Sequence, residues 1–277
     1  MKKIFFIFYF FLISFLIFDC NQVADAAEIS SQEQLQQGIQ AYQQNEFEKA
    51  LNIFKTLNQT INSAGLFGYI GNCYIKMNRK DSSFLGQGIA AYLSALKREP
   101  NNPDLRHNLQ YALSQTEDQI SFTALFQGDG LRGVFLTLVR MANVSTHYFI
   151  FLVLFFLLLL LCLWYGIYKN ALALGRLWIF LLSLALIFQG TALFIRASDM
   201  EQKQGVLTVP VAEVRYGPSQ ADTKAFLLHL GSPFEIHHTN KAAGAEGTWT
   251  QIRLRDKAAG TNGKVGWLPS ETFVEVK

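Results

Sequence analysis

Few residues in this chain have the types and spacing that catalysis requires. The three cysteines, Cys20, Cys73 and Cys162, lie far apart and in different segments. They form no CxxC pair of the kind that binds zinc, and they suggest no disulfide framework. No nucleophile–base pair, no paired carboxylates in a Gly-rich setting and no HExxH run is present. We therefore expect a protein that is not an enzyme and that has no cofactor.

The remaining candidates for chemistry also favour structural roles. Adjacent strand residues point to opposite faces, so His237 and His238 do not converge on a metal, and His229 adds no carboxylate partner at ligand spacing. The run GDG at 128–130 has neither the preceding strand nor the rest of a phosphate-binding motif. Cys73 lies among apolar positions, which favours a buried hydrophobic residue over a reactive thiol.

The overall composition indicates a membrane protein. Of the 277 residues, 50% are hydrophobic and only 16% are charged, and the formal charge is +3. Acids and bases alternate in the polar regions, whereas a nucleic-acid-binding protein would carry a clustered basic face. The apolar residues are concentrated in three blocks, and the polar remainder is enough for two modules.

The first apolar block predicts export. Lys2 and Lys3 precede an apolar run at 4–18, and the A-x-A arrangement at 24–26 fits a signal peptide over residues 1–26. Two alternatives stay open, namely lipidation at Cys20 and an uncleaved anchor. All three place the following residues outside the cytoplasmic membrane.

The second and third blocks predict transmembrane helices over residues 148–168 and 177–195, since about 20 apolar residues cross a bilayer. Lys169 and Arg176 lie in the short connection, which favours a cytoplasmic loop. With an exported N-terminal region, both polar regions then lie on the outer, periplasmic side. We expect Gln189 to face the neighbouring helix.

Residues 31–119 show a helical repeat. Apolar residues recur at helical spacing, and Gly71 follows Gly38 by 33 residues. Small residues such as Gly38 and Ala50 allow two helices to approach closely, and Phe54 fills the space beside them. This pattern resembles the tetratricopeptide repeat (TPR), whose period is about 34 residues. A last helix, entered at Pro103 and capped by Asp104, closes the array.

The repeat resemblance predicts a binding surface. In stacked helix pairs the first helix of each pair lines a concave side that accepts a partner. The expected partner-binding residues are Tyr42, Asn72, Lys76, His107 and Tyr111. Tyr42 has an alternative role in packing between repeats. After the array, residues 120–147 combine glycines with an amphipathic stripe, which predicts an interfacial helix on the lipid bilayer.

Residues 205–277 predict a small all-β domain. Short alternating runs are separated by turn residues. The run VRYGPS at 214–219 and the run GWLP at 266–269 resemble bacterial SH3 domains, and so does the Leu230-Gly231 step. The resemblance implies ligand binding through Tyr216, Trp249 and Trp267. For the tryptophans, packing inside the barrel is the alternative.

Together these features predict a multidomain membrane protein: an all-α TPR array, two transmembrane helices and a small SH3-like barrel. Their order resembles BatE-type proteins of bacterial aerotolerance operons. That resemblance implies a scaffold at the inner membrane whose partners are membrane-anchored von Willebrand factor A domain proteins. A cell-wall anchor that binds peptidoglycan through the SH3-like domain is the alternative function.

Overall fold

A computed structural model describes residues 30–79, 82–118, 135, 138–139, 142, 144–167, 173–241, 248–254 and 263–277. The expected signal peptide, the lipidation alternative at Cys20 and most of the expected interfacial segment lie outside these residues. Within them the chain forms helices in its first two thirds and an antiparallel sheet in its last third.

Five helices form the first region, and consecutive helices from the second onward pack against one another. They are α1 (30–43), α2 (Phe47–Ile61), α3 (Ala64–Asn78), α4 (Leu85–Arg98) and α5 (Pro103–Leu113). Asn62 ends α2 in the left-handed conformation (φ 49°), and the Ser63 hydroxyl caps α3 by accepting from Leu66 N at 3.2 Å. The cap of α5 is Asn102, whose Oδ1 accepts from the main-chain N–H of Asp104 and Leu105, and the expectation that Asp104 is the cap is wrong.

Glycines and aromatic rings fit together inside this helical region. A Cβ atom at Gly38 would lie 2.5 Å from the Phe54 ring, and one at Gly71 would lie 2.6 Å from the Tyr92 ring. Phe54 and Tyr92 are fully buried, so neither ring has room to move away. The expected close approach of the helices at these glycines is confirmed.

Two long apolar helices follow, α6 (Val144–Ile167) and α7 (Ala173–Glu201). Both contain stretches long and apolar enough to cross a membrane, at Val144–Tyr165 and Gly175–Ser198. They pack against each other, and Gln189 Nε2 of α7 lies 2.8 Å from His147 Nδ1 of α6. Gln189 therefore faces the neighbouring helix, as the sequence predicts.

Seven strands form one antiparallel sheet with the order β3-β2-β6-β5-β4-β1-β7. They are β1 (Gln204–Leu207), β2 (Val211–Arg215), β3 (Lys224–His229), β4 (Pro233–Lys241), β5 (Thr248–Leu254), β6 (Lys264–Pro269) and β7 (Phe273–Val276). Their inner face packs around fully buried apolar residues, among them Val214, Ile252 and Leu268. Gly231, at φ 84°, makes the turn between β3 and β4.

The helical region and the sheet share an interface, which has no signal in the sequence. Val206 of β1 and Val276 of β7 join the apolar core of α3, α4 and α5. Ser94 Oγ accepts from Lys277 N at 3.0 Å. At Gly86 a Cβ atom would lie 2.2 Å from Leu207 O, so only glycine permits this approach between backbones. The two regions therefore pack as neighbours.

The end of α4 also contacts α7 and the residues that follow it. Arg196, at 4% exposed, donates from Nη2 to Lys97 O at 2.8 Å. Lys97 Nζ in turn donates to Gln202 O at 2.9 Å. A cation at a helix C-terminus is stabilised by the unpaired carbonyl groups there. This arrangement ties the helical region to the long apolar helix and to the start of the sheet.

A second polar link joins the end of the helical region to the turn between β3 and β4. Asp118 accepts from His229 N at 2.9 Å, from His229 Nδ1 at 2.8 Å and from Ser232 Oγ. The Ser232 hydroxyl thus donates to the same carboxylate as His229. The three side chains form a polar link between the helical region and the sheet.

Candidate functional site

A cavity of about 300 Å³ opens on the helical region. Its lining residues come from α1, α3, α4 and α5 and from the turn after α3. They are Tyr42, Asn72, Ile75, Lys76, Arg79, Tyr92, Asn108 and Tyr111. We call this cavity the groove. It contains four of the five expected partner-binding residues, while His107 lies exposed on α5 and outside the lining.

Asn72 organises the polar floor of the groove. Its Oδ1 accepts from Tyr92 Oη at 2.7 Å and from Asn108 Nδ2 at 3.2 Å. With the oxygen occupied twice, the Asn72 amide nitrogen is the group left to donate, and it has no partner among the described residues. Asn72 thus has a structural role as well as a place in the site.

The charged side chains that line the groove are both positive. Lys76 and Arg79 lie three positions apart at the end of α3, and the lining contains no carboxylate. Neither cation forms an ion pair within the described part of the chain. Two nearby cations and several donor groups together make an environment that favours an anion.

Burial controls the titratable groups behind the groove. Cys73 is 0% exposed, and burial raises the pKa of its thiol to about 12. Burial also raises the pKa of Tyr42, with a further contribution from Cys73 that the Arg79 charge opposes. The pKa of Tyr92 is raised by burial in the same way. The thiol and the phenols are therefore neutral at physiological pH, and Cys73 acts as a small buried hydrophobic residue.

Four groove residues were not anticipated as site residues from the sequence, although two of them carried a signal; the four are Ile75, Arg79, Tyr92 and Asn108. Asn108 follows Asn72 by 36 residues, close to the expected repeat period of about 34, and its amide donates to Asn72 Oδ1. Arg79 follows Lys76 by three residues and so lies on a neighbouring helix face. Tyr92 reaches the groove from α4 because its ring packs over Gly71, which no local pattern indicates.

The expected SH3-type ligand residues differ sharply in exposure. Tyr216 is 69% exposed, whereas Trp249 is 2% exposed. Trp267 lies opposite Gln251 in the β5–β6 ladder, so it shares a sheet face with Trp249, yet it remains partly exposed. Tyr216 and Trp267 are available at the surface, and Trp249 is enclosed.

No cluster of three or more His, Cys, Asp or Glu side chains arranged to hold a metal occurs in the part of the chain that the structure describes. His229 Nδ1 lies 2.8 Å from Asp118 Oδ1, and its Nε2 lies 3.5 Å from Glu117 Oε2.

Comparison with known proteins adds no assignment: no family model matches the chain, and a search of curated proteins finds no match.

Proposed function

We propose that this protein is a non-enzymatic scaffold of the bacterial inner membrane that binds a protein partner through its helical repeats. The observation that carries the proposal is the groove, which combines Lys76, Arg79 and Asn72 beside the rings of Tyr42 and Tyr111. TPR-type repeats bind partners on such a surface. The groove therefore receives a segment of the partner and performs no reaction on it.

The chemistry of the groove selects an acidic segment. A carboxylate that accepts from Lys76 or Arg79 forms a charge-assisted hydrogen bond, which is stronger than a neutral one. Tyr111 is 49% exposed and offers a rigid aromatic surface beside these charges. Rigid aromatic groups and arginine dominate binding energy at protein interfaces. An acidic residue next to an apolar one is the partner sequence that fits.

The proposed topology places both folded regions on the outer face of the membrane. The packing of α4 against β7 supports it, because regions that pack together must lie in one compartment. Two spans between them satisfy this requirement. We expect alkaline-phosphatase fusions after Gln119 and after Lys277 to be active and one after Leu172 to be inactive. Activity at Leu172 with silence at Lys277 would contradict the arrangement.

The groove assignment is tested by charge reversal. Replacing Lys76 and Arg79 together with Glu should reduce the recovery of co-purifying partners from native membranes by about tenfold or more, since the loss of even one charged hydrogen bond costs about 1.5–3 kcal/mol. Lys49→Glu, at an exposed position of α2 outside the groove, is the control for charge reversal and should retain them. Asn72 is unsuited to this test because its Oδ1 holds Tyr92 and Asn108 in place. Full recovery with the double variant would exclude the groove.

The order of the elements also supports a BatE-type role. Helices, two apolar helices and a β region follow one another as in the aerotolerance-operon proteins that the sequence resembles. In this proposal the partner is a membrane-anchored von Willebrand factor A domain protein of the same complex. Quantitative mass spectrometry of the co-purified proteins would identify it, and its absence from the captured set would remove this part of the proposal.

A second candidate function is a peptidoglycan-binding anchor. It is favoured by the surface position of Tyr216 beside Arg215, which lies opposite the partly exposed Trp267. Aromatic rings at a surface are suited to stack on sugars. Cosedimentation of the full chain in detergent with purified peptidoglycan, lost in Tyr216→Ala, would favour the anchor. Its absence favours the scaffold.

A further inference from the structure

The two long apolar helices enclose a pair of polar side chains. His147 of α6 and Gln189 of α7 are both buried. Gln189 Nε2 donates to His147 Nδ1 at 2.8 Å and to His147 O at 3.1 Å. On its other side, His147 Nε2 lies 2.8 Å from Val139 O, which can only accept. The imidazole therefore carries its proton on Nε2, and it passes a chain of hydrogen bonds from α7 to Val139.

Two residues that precede α6 contact the hairpin at this place. The Phe135 ring lies 5.5 Å from the Phe188 ring of α7, with the two planes at 71°. Val139 is buried, and its carbonyl group is the one that the imidazole binds. Phe188 is next to Gln189 in the chain, so both contacts fall at the same level of α7.

The distance from this level to the outer end of α7 gives its depth. Arg196 Nη2 donates to Lys97 O of the helical region at 2.8 Å, and Arg196 Nε donates to Ala142 O at 3.4 Å. Because the helical region lies in water, Arg196 marks the outer surface of the membrane. Gln189 comes seven positions before it, which is about 10 Å at 1.5 Å per residue. In a hydrocarbon core about 30 Å thick, that level lies within the outer leaflet.

Hydrogen bonding and exposure agree with this depth. A carbonyl group in hydrocarbon has no water to bind, so it needs a donor from the protein. Val139 O has such a donor in the imidazole. A helix on the membrane surface keeps its terminal carbonyl groups in water and needs no buried donor. Leu138, in contrast, is exposed, as are Ile187 and Phe188 of α7, so the apolar surface of the hairpin continues onto it.

We propose that the segment containing Phe135 and Val139 inserts into the outer leaflet, where His147 and Gln189 hold it and its exposed face binds lipid acyl chains. This inference rests on the topology proposed above. The helical region before the segment and Ala142 after it both lie on the outer side, so the segment enters the leaflet without crossing it. It lies deeper than the expected interfacial helix, which would rest at the level of the headgroups.

Spin labels on the full chain in nanodiscs measure this depth. Cys20→Ser and Cys162→Ser remove two thiols and leave the buried one of the helical region. Nitroxides are then attached at Leu138→Cys, at Ile187→Cys as the hydrocarbon reference and at Tyr216→Cys as the water reference. Oxygen concentrates in hydrocarbon and a polar nickel chelate in water, so the ratio of their collision rates with the nitroxide reports depth.

The Leu138 label should give the oxygen-rich ratio of the Ile187 label. A ratio equal to that of Tyr216, or one between the two references as at the headgroups, would overturn the insertion. If the Ile187 label itself matched Tyr216, the span of α7 would be excluded, and the insertion with it. The three outcomes therefore separate a failure of the insertion from a failure of the topology.

A pair of variants tests whether the imidazole holds the segment. His147→Leu removes the donor to Val139 O, so the nickel collision rate at the Leu138 label should rise several-fold as the carbonyl group moves towards water. Thr191→Val is the control, since the Thr191 hydroxyl donates to Ile187 O of its own helix at 2.9 Å, and it should leave the rate unchanged. An unchanged rate in His147→Leu, or an equal rise in both variants, would overturn the role of the imidazole.

The Ile187 label should keep its ratio in both variants, because α7 remains in the membrane. The depth of the Leu138 label in the unchanged protein decides the insertion even where His147→Leu disturbs the hairpin. Reversing Lys76 and Arg79 should leave all labels unchanged, which separates the insertion from the function proposed for the groove.

Discussion

The helical region and the sheet enclose their aromatic rings in different ways. In the helices, Phe54 and Tyr92 each lie against a glycine of the facing helix, and both are buried. In the sheet, Trp249 and Trp267 share one face, yet only Trp249 is enclosed. In the helices a ring is buried because the residue opposite it is a glycine, which leaves room for the ring where a side chain would otherwise lie. On a sheet face the same ring is buried only where another part of the chain covers it.

The two tryptophans give the largest expected contrast. Trp249→Ala removes a buried ring, and such truncations cost about 3–5 kcal/mol. Trp267→Ala should cost less than half as much, because that ring is already partly hydrated. Thermal unfolding of the full chain in detergent measures both. Equal destabilisation would mean that Trp267 is also enclosed and that this sheet face is covered throughout.

The helical side of the comparison is tested at two glycines of α3. Gly71→Ala places a Cβ against the Tyr92 ring at 2.6 Å, and overpacking of this kind costs about 1–3 kcal/mol. At Gly65 a Cβ would meet nothing within 4 Å, so Gly65→Ala should stabilise α3 by about 0.5–1 kcal/mol. The same substitution in one helix thus has opposite signs. Melting temperatures of the two variants check it, and a shared sign would exclude the glycine–ring account.

The smallest effect concerns the link between the regions. The Asp118 hydrogen bond raises the pKa of His229 above 6.5, so its stabilisation is present below that value and lost as pH rises through the raised pKa. Burial alone would raise the pKa of Asp118, but hydrogen bonds from Ser232 and His229 outweigh it and hold the pKa below 3.8. Its stabilisation is therefore present above 3.8 and lost as pH falls through the lowered value.

At mildly acidic pH the charged His229 and the charged Asp118 both contribute to stability. The melting temperature of the full chain should fall by a few degrees between pH 6 and roughly pH 9, a modest change because the His229 side chain is 28% exposed. Glu117 also faces the imidazole and reinforces the same sign. Asp118→Asn should flatten the dependence. An unchanged slope in that variant would assign the pH response to other groups.

Local patterns were sufficient for some of these features and not for others. The small residues Gly38 and Ala50 predicted where the Phe54 ring packs between helices, and run lengths predicted α6 and α7. Half of the groove lining was anticipated, since helical spacing brings Asn72 and Lys76 to one side. The interface between the helical region and the sheet was not, because Ser94 and Lys277 are 183 residues apart and neither belongs to a motif. Contacts between distant, individually ordinary residues depend on tertiary packing, which spacing rules do not describe.

The length of α7 has a consequence for how partners are reached. Its 29 residues extend about 44 Å at 1.5 Å per residue, while a hydrocarbon core is about 30 Å thick. Only Gln202 and Lys203 separate α7 from β1, so a short connection joins the sheet to the end of the helix. If the proposed partner is anchored in the same bilayer, it diffuses in two dimensions beside this chain. Such confinement raises the effective concentration of the partner, so that even a weak site is occupied.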